Sequence, residues 1–122
     1  MLRSTAELEV RPLMRVFRAL GDETRLRIVA LLSHGELCVC HLEKALDLNQ
    51  PNASRQLGIL KSAGVVDSHR EGTWVYYAIT AQDHETVSRA LEVLTKAFGD
   101  ERALKRDHAR LRKSCGPNAC AS

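Results

Sequence analysis

Cys38 and Cys40 stand one residue apart in the stretch Glu36-Leu37-Cys38-Val39-Cys40-His41-Leu42. Thiolates are soft ligands, so a close pair favours thiophilic ions over hard ones such as magnesium or calcium. The Cys-x-Cys spacing does not close easily into a disulfide, and it differs from the C-x-x-C of redox sites and zinc knuckles. On a regular helix, positions i and i+2 point about 200° apart, so two such sulfurs share one atom only by distortion. The expectation is that a soft guest held by both cysteines unwinds the start of their helix. Two more cysteines, Cys115 and Cys120, lie in the C-terminal Ser114-Cys115-Gly116-Pro117-Asn118-Ala119-Cys120.

A second kind of chemistry follows a few residues later, in Asn49-Gln50-Pro51-Asn52-Ala53-Ser54-Arg55-Gln56-Leu57. Asn49 is a good helix cap and Pro51 suits a first turn. The helix then turns Ala53, Leu57 and Leu60 to the core. Its outer face holds Pro51, Arg55, Gly58 and Ser62, flanked by Asn52, Ser54, Ile59 and Lys61. Gln50, Asn52, Ser54, Arg55 and Lys61 form a polar surface able to reach nucleic acid: arginine suits guanine, and Asn or Gln suits adenine. Gly58 keeps that face low enough for a major groove. Beyond it, Arg70 and Thr73 flank a tight turn and can reach phosphate or the minor groove.

The elements that must position these residues are readable from periodicity and punctuation. Ser4-Thr5-Ala6-Glu7 has the form of a capping box, and Pro12 predicts a break or fresh start. Leu13, Phe17 and Leu20 then share one helical face. Asp22 caps a helix from Glu23 to Leu32 that is apolar around most of its circumference and so belongs at the centre. A short helix over Val39 to Leu46, the turn Asp47-Leu48-Asn49 and a helix to about Ala63 make a helix-turn-helix, with Gly64 just past its end. Val65–Arg70 and Thr73–Ile79 read as strands joined at Glu71-Gly72. A hairpin directly after a helix-turn-helix is a wing, packed by Trp74, Tyr76 and Tyr77. Val87, Ala90, Leu91, Leu94 and Phe98 mark a helix between Asp83 and Phe98. After Gly99-Asp100 a charged helix runs from Glu101 to Lys113. The fold class expected is mainly α with a small β-hairpin, one domain over 1–113 and a flexible cysteine-containing tail over 114–122.

Composition agrees with this. The chain has 122 residues, 44% hydrophobic but only 4% aromatic, so its core rests on Leu, Val, Ile and Ala. A monomer of this size buries a modest share of its surface, which favours pairing with a second copy. Eighteen basic residues against 15 acidic give +3, permissive for nucleic acid but not diagnostic. No run approaches the ~20 apolar residues of a membrane span, and the N-terminal stretch lacks a secretory signal's apolar segment. The expected compartment is the cytoplasm, where cysteines stay thiols or bind metal. No phosphate-binding glycine loop or nucleophile–base pair points to an enzyme.

Phe17-Arg18-Ala19-Leu20-Gly21-Asp22-Glu23-Thr24-Arg25-Leu26-Arg27-Ile28, Glu36-Leu37-Cys38-Val39-Cys40, Gln50-Pro51-Asn52-Ala53-Ser54-Arg55-Gln56-Leu57 and Gly72-Thr73-Trp74-Val75-Tyr76-Tyr77 together resemble the ArsR/SmtB metalloregulators. The likeness covers roughly residues 13 to 98, and Glu36–Cys40 resembles the arsenite-responsive branch. It implies a winged-helix homodimer joined by its first and last long helices. It also implies repression of a resistance operon through double-stranded operator DNA, an imperfect palindrome. No cofactor is implied to be permanently bound; trivalent arsenic or antimony acts as inducer. Members with this motif often carry a third cysteine where Glu43 stands here. Trivalent arsenic takes three thiolates, so Cys38 and Cys40 are one short, and Cys115 or Cys120, from the same or the partner chain, is expected to complete the set. The zinc-sensing branch uses Asp and His on the last dimer helix. Asp83, His84 and Glu85 lie near that helix start without a spaced partner, so His84 is expected to be a solvated residue. His41 beside Cys40 could ligate zinc or cadmium, but family members carry other residues there. His69 and His108 have no evident role. A cadmium- or zinc-responsive repressor and a thiol redox sensor of the same fold are the alternatives.

Overall fold

A computed structural model describes residues 2–98 and 101–114. Helix α2, Glu23–Leu32, is its centre. Ile28, Val29, Ala30, Leu31 and Leu32 are all buried, as expected of a helix apolar nearly all round. Its start is fixed by Asp22, in extended conformation, whose carboxylate accepts from the Arg25 amide at 3.1 Å.

Helix α1 spans Leu2–Leu20 without interruption, Pro12 included. The break expected there does not occur. A proline inside a helix forfeits one amide hydrogen bond and costs ~3 kcal/mol, and the turns after it bury Val16, Ala19 and Leu20 against the core. The buried stripe also differs from the expected one. Leu13 and Leu20 lie on it, but Phe17 is 49% exposed and joins Val10 and Met14 on the outer face.

Helices α3, Val39–Leu46, and α4, Gln50–Ser62, form the helix-turn-helix. The turn between them is made tight by Asp47, whose φ of 55° is left-handed, a conformation that Asp and Asn tolerate better than most residues. Buried Leu42 and Ala45 on α3 meet buried Ala53, Leu57 and Leu60 on α4 in one core.

Strands β2, Val66–Glu71, and β3, Trp74–Ile79, pair antiparallel from Val66↔Ile79 to Glu71↔Trp74. The two-residue loop is therefore Gly72-Thr73, one position later than expected. Gly72 takes φ 65°, which glycine supplies without penalty at the first position of such a loop. The sequence did not announce strand β1, Leu37–Cys38, which pairs Leu37↔Tyr77 and Cys38↔Tyr76 and makes a three-stranded sheet of order β1-β3-β2.

Helix α5, Glu85–Ala97, buries Val87 and Leu91, and Phe98 follows on the same stripe. Helix α6, Arg102–Ser114, docks on α2 and α3. Leu111 and Asp107 are buried there, and Asp107 faces the Arg27 guanidinium at 3.5 Å. The expected interruption at Gly99-Asp100 and the tail 115–122, with Cys115 and Cys120, lie outside the described residues. No described helix is long and apolar enough to cross a membrane.

Candidate functional site

The sulfurs of Cys38 and Cys40 are 3.3 Å apart. This overturns the expectation that the pair must diverge. Cys38 is not part of the helix. It is the last residue of β1 and the N-cap of α3, with φ −70° and ψ 148°. Pairing with Tyr76 fixes its backbone in the sheet, while Cys40 sits in the first turn of α3. One sulfur is delivered by a strand and the other by a helix, so the 200° rule for a single regular helix does not apply. With metal–sulfur bonds of ~2.3 Å, bond angles from a right angle to a tetrahedral one place two sulfurs ~3.3–3.8 Å apart. The observed gap lies at the pyramidal end of that range. No unwinding is needed to bring the pair together.

Cys38 is buried and Cys40 half-buried. They line a cleft of about 420 Å³ together with Glu43, Gln50, Ser54, Arg70, Thr73 and Trp74, among others. The sulfur pair and four of the residues expected to reach DNA thus share one cavity, walled by α3, the start of α4 and the wing. Glu43, three residues after Cys40 on α3, lines the same cleft.

Along α4 the caps and faces agree with the sequence. Asn49 accepts from the Asn52 amide at 2.8 Å. Gln50, Ser54, Arg55 and Lys61 are exposed and Asn52 is half-buried. A Cβ on Gly58 would meet only open space, so the outer face is low. Lys61 is not a bare cation: its Nζ donates to Ser68 Oγ at 2.8 Å and lies 3.9 Å from Asp67 Oδ1, which ties α4 to β2. Arg55 donates to Asn52 Oδ1 at 3.2 Å. Gln56, which the sequence reading passed over, is 8% exposed and bonded to both Arg25 and Asn52. Its polarity between Arg55 and Leu57 was the only available signal.

On the wing, Arg70 is exposed near the end of β2 and Thr73 is exposed in the turn itself. His69, given no role from sequence, lies between two carboxylates. Its Nδ1 is 3.3 Å from Glu36 and its Nε2 is 2.9 Å from Glu71. The Glu71 hydrogen bond, aided by the charges of Glu36 and Glu71 and opposed by burial, raises its pKa above 6.5. One ligand atom from each of the three groups falls within 4.8 Å of the others. Each ring nitrogen nevertheless faces its own carboxylate, the arrangement of an imidazolium between two anions. The ring stacks on Tyr76 at 5.5 Å between centroids.

The remaining histidines have structural places. His84 caps α5, its Nδ1 accepting from the Val87 amide at 3.3 Å, and so is more than a solvated terminal residue. His41 is held below 6.5 by burial first and by Lys44 second. His108 stacks on His34 with centroids 3.9 Å apart. Burial, then the charges of His34 and Arg112, lower its pKa.

Residues 22–68, from the cap of α2 into the first half of β2, match the model of the bacterial regulatory protein arsR family. Over 83 residues the chain is 45% identical to the arsenic resistance transcriptional regulator ArsR2 of Pseudomonas putida, covering 67% of this chain and 72% of that one. The chain belongs to the arsR family. ArsR1 of the same organism is 42% identical over 86 residues, 70% of this chain. The match spans 64% of that relative, less than two thirds of its length. Among solved structures, one is the homodimeric winged helix-turn-helix DNA-binding domain of a possible ArsR-family transcriptional regulator from Mycobacterium bovis. It superposes with a TM-score of 0.64 at 37% identity, over 83% of this chain and 88% of that one. The fold is a winged helix-turn-helix, and the family is one of regulators rather than enzymes.

Proposed function

We propose that this protein is a homodimeric transcriptional repressor of the cytoplasm that binds an imperfectly palindromic operator and leaves it when trivalent arsenic or antimony is captured by thiolates. The observation that carries this reading is the 3.3 Å sulfur pair inside the cleft shared by the reading helix and the wing. Gln50, Asn52, Ser54, Arg55 and Lys61 on α4, with Arg70 and Thr73 on the wing, are its DNA surface. The exposed apolar run Val10, Met14 and Phe17 on α1 is the kind of patch a second copy covers. Two chains carry twice +3, a formal +6, which suits phosphate contacts and a steep salt dependence. The paired reading helices address half-sites ~34–36 Å apart or a multiple of one turn.

Arsenite, As(OH)₃, condenses with three thiols to a trithiolate and three waters, so charge hardly changes. Release therefore cannot rest on repelling phosphate. A guest bound to Cys38 and Cys40 occupies the cleft between α3, α4 and wing, and a third thiolate drawn in from Cys115 or Cys120 closes it. Whatever arrangement of wing and α4 that loaded cleft prefers is favoured at the expense of the DNA-fitting one. Such coupling is reciprocal and typically ~1–3 kcal/mol, or ~5–150-fold in affinity.

The test is fluorescence anisotropy on duplexes selected from a random library, with arsenite, antimonite, cadmium, zinc and peroxide titrated in separately. Cys38→Ser and Cys40→Ser should bind DNA as wild type and stay bound when arsenite is added. A chain truncated after Lys113 should lose the response. Release by cadmium or zinc alone would reassign the inducer, and release by peroxide, reversed by reductant, would make the pair a redox sensor. Release of both serine variants by arsenite would refute the site.

A further inference from the structure

Two hydrogen bonds run in a line from Arg25 on α2 through Gln56 to Asn52 on the DNA face of α4, and their polarity is fixed from one end. Arg25, on α2, has only donors. Its Nε is given to the Ala19 carbonyl in the last turn of α1, and an Nη donates to Gln56 Oε1 at 2.8 Å. Because Gln56 must turn its oxygen towards Arg25, its Nε2 faces the other way and donates to Asn52 Oδ1 at 3.1 Å. Asn52 must in turn aim its oxygen inward. The same oxygen accepts a second time, from Arg55 at 3.2 Å. A carbonyl oxygen has two lone pairs, and both are used. Among the described residues the Asn52 Nδ2 donates to nothing, and it is the polar end left for a partner. Gln56 is 8% exposed, so water cannot readily substitute in the middle of the chain, and a reversed amide there would set donor against donor.

We propose that Arg25, acting through Gln56, commits Asn52 to be a hydrogen-bond donor towards DNA, so that it selects keto bases over amino bases. Guanine O6 and thymine O4 are acceptors in the major groove, whereas adenine N6 and cytosine N4 carry donors. The familiar asparagine–adenine pair uses the amide oxygen to accept from N6; here that oxygen is saturated. Arg25 and Gln56 are positioning residues that touch no base. Base choice at one operator position is thereby written partly in α2, outside the reading helix. The inference rests on α4 being the DNA-reading element.

The test selects binding sites from a random duplex library with the full-length wild type, Asn52→Ala, Gln56→Glu and Gln56→Met. In the wild type, one position per half-site should prefer guanine or thymine by ~5-fold or more, the low end of what one good side-chain–base pair supplies. Asn52→Ala should erase that preference and leave other positions unchanged. Gln56→Glu keeps an acceptor for Arg25 but offers Asn52 only an oxygen, so the amide should reverse and the same position should turn towards adenine or cytosine. If a thermal melt shows Gln56→Glu unfolded, Gln56→Met decides: it carries no polarity, so the keto preference should fall below ~2-fold. A consensus unchanged by both Gln56 variants, an amino base at the Asn52-dependent position in wild type, or an Asn52→Ala effect equal on all sequences would overturn the inference while leaving DNA reading by α4 intact. A wild type that enriches no sequence would remove the DNA assignment itself, and this inference with it.

Discussion

Replacing Glu43 by cysteine should make the response to arsenite independent of the C-terminal tail. Glu43 follows Cys40 by three residues on α3 and lines the same cleft as both sulfurs. Side chains three apart on a helix have Cβ atoms ~5–6 Å from each other, and one further bond from each brings two sulfurs to a common atom. A thiol fixed on the next turn also replaces one that must come from Cys115 or Cys120, far along the chain. The fold should tolerate the change. Helix propensities span at most ~0.7 kcal/mol among ordinary residues, a small part of the ~5–15 kcal/mol that holds a domain together. In a chain truncated after Lys113, Glu43→Cys should restore arsenite-driven DNA release, with at least the ~5-fold affinity change at the low end of allosteric coupling. The assay is anisotropy on a selected operator, with the truncated parent and the full-length chain beside it. If the full-length protein responds and truncated Glu43→Cys binds DNA yet ignores arsenite, the proposed site at Cys38 and Cys40 is refuted.

Asn49→Ala removes the cap of α4 and should cost ~1 kcal/mol, lowering the melting temperature by a few degrees and weakening DNA binding more than it changes the arsenite response. Leu57→Ala, at a side chain 1% exposed, should cost ~2–5 kcal/mol in urea unfolding; less than ~1 kcal/mol would contradict the packing. His69 should titrate above 6.5 by NMR, and Glu71→Gln should move it down. Because its folded value is raised, the proton-dependent tie between Glu36 and the wing is complete below the unfolded pKa of ~6.5 and fades as pH rises through the folded value. An unshifted His69 resonance in Glu71→Gln would show that the contact does not hold in solution.

Much of the fold was legible because its signals are local. Asp22 and Asn49 name their helix starts by being caps. The apolar circumference of Glu23–Leu32 announces a central helix, and glycine at 72 with β-branched and aromatic neighbours announces a hairpin. What stayed hidden needs contacts between distant residues. A two-residue strand has no period to detect, and β1 exists only because β3 offers Leu37 and Cys38 a free edge. That omission produced the error about the sulfurs, since treating Cys38 and Cys40 as positions of one regular helix turns their side chains apart. Pro12 misled in the opposite direction: a penalty at one residue does not decide a helix when buried turns follow it. The carboxylates around His69 come from β1's approach and from β2, and sequence distance gives no hint of that meeting. The Arg25–Gln56 bond joins residues 31 apart and was equally invisible.

The junction of β1 with α3 works as a calliper. One jaw is anchored to the sheet and the other to a helix, and the gap between them reports how those two bodies sit. An ion held there as proposed would set that gap by the length and angle of its own bonds to sulfur. Ions of equal charge but different radius should therefore spread the jaws to different extents, and the size of the DNA response should follow bond geometry rather than valence. Lengthening the spacer between the two cysteines by one residue would change the gauge itself, and with it which element is heard.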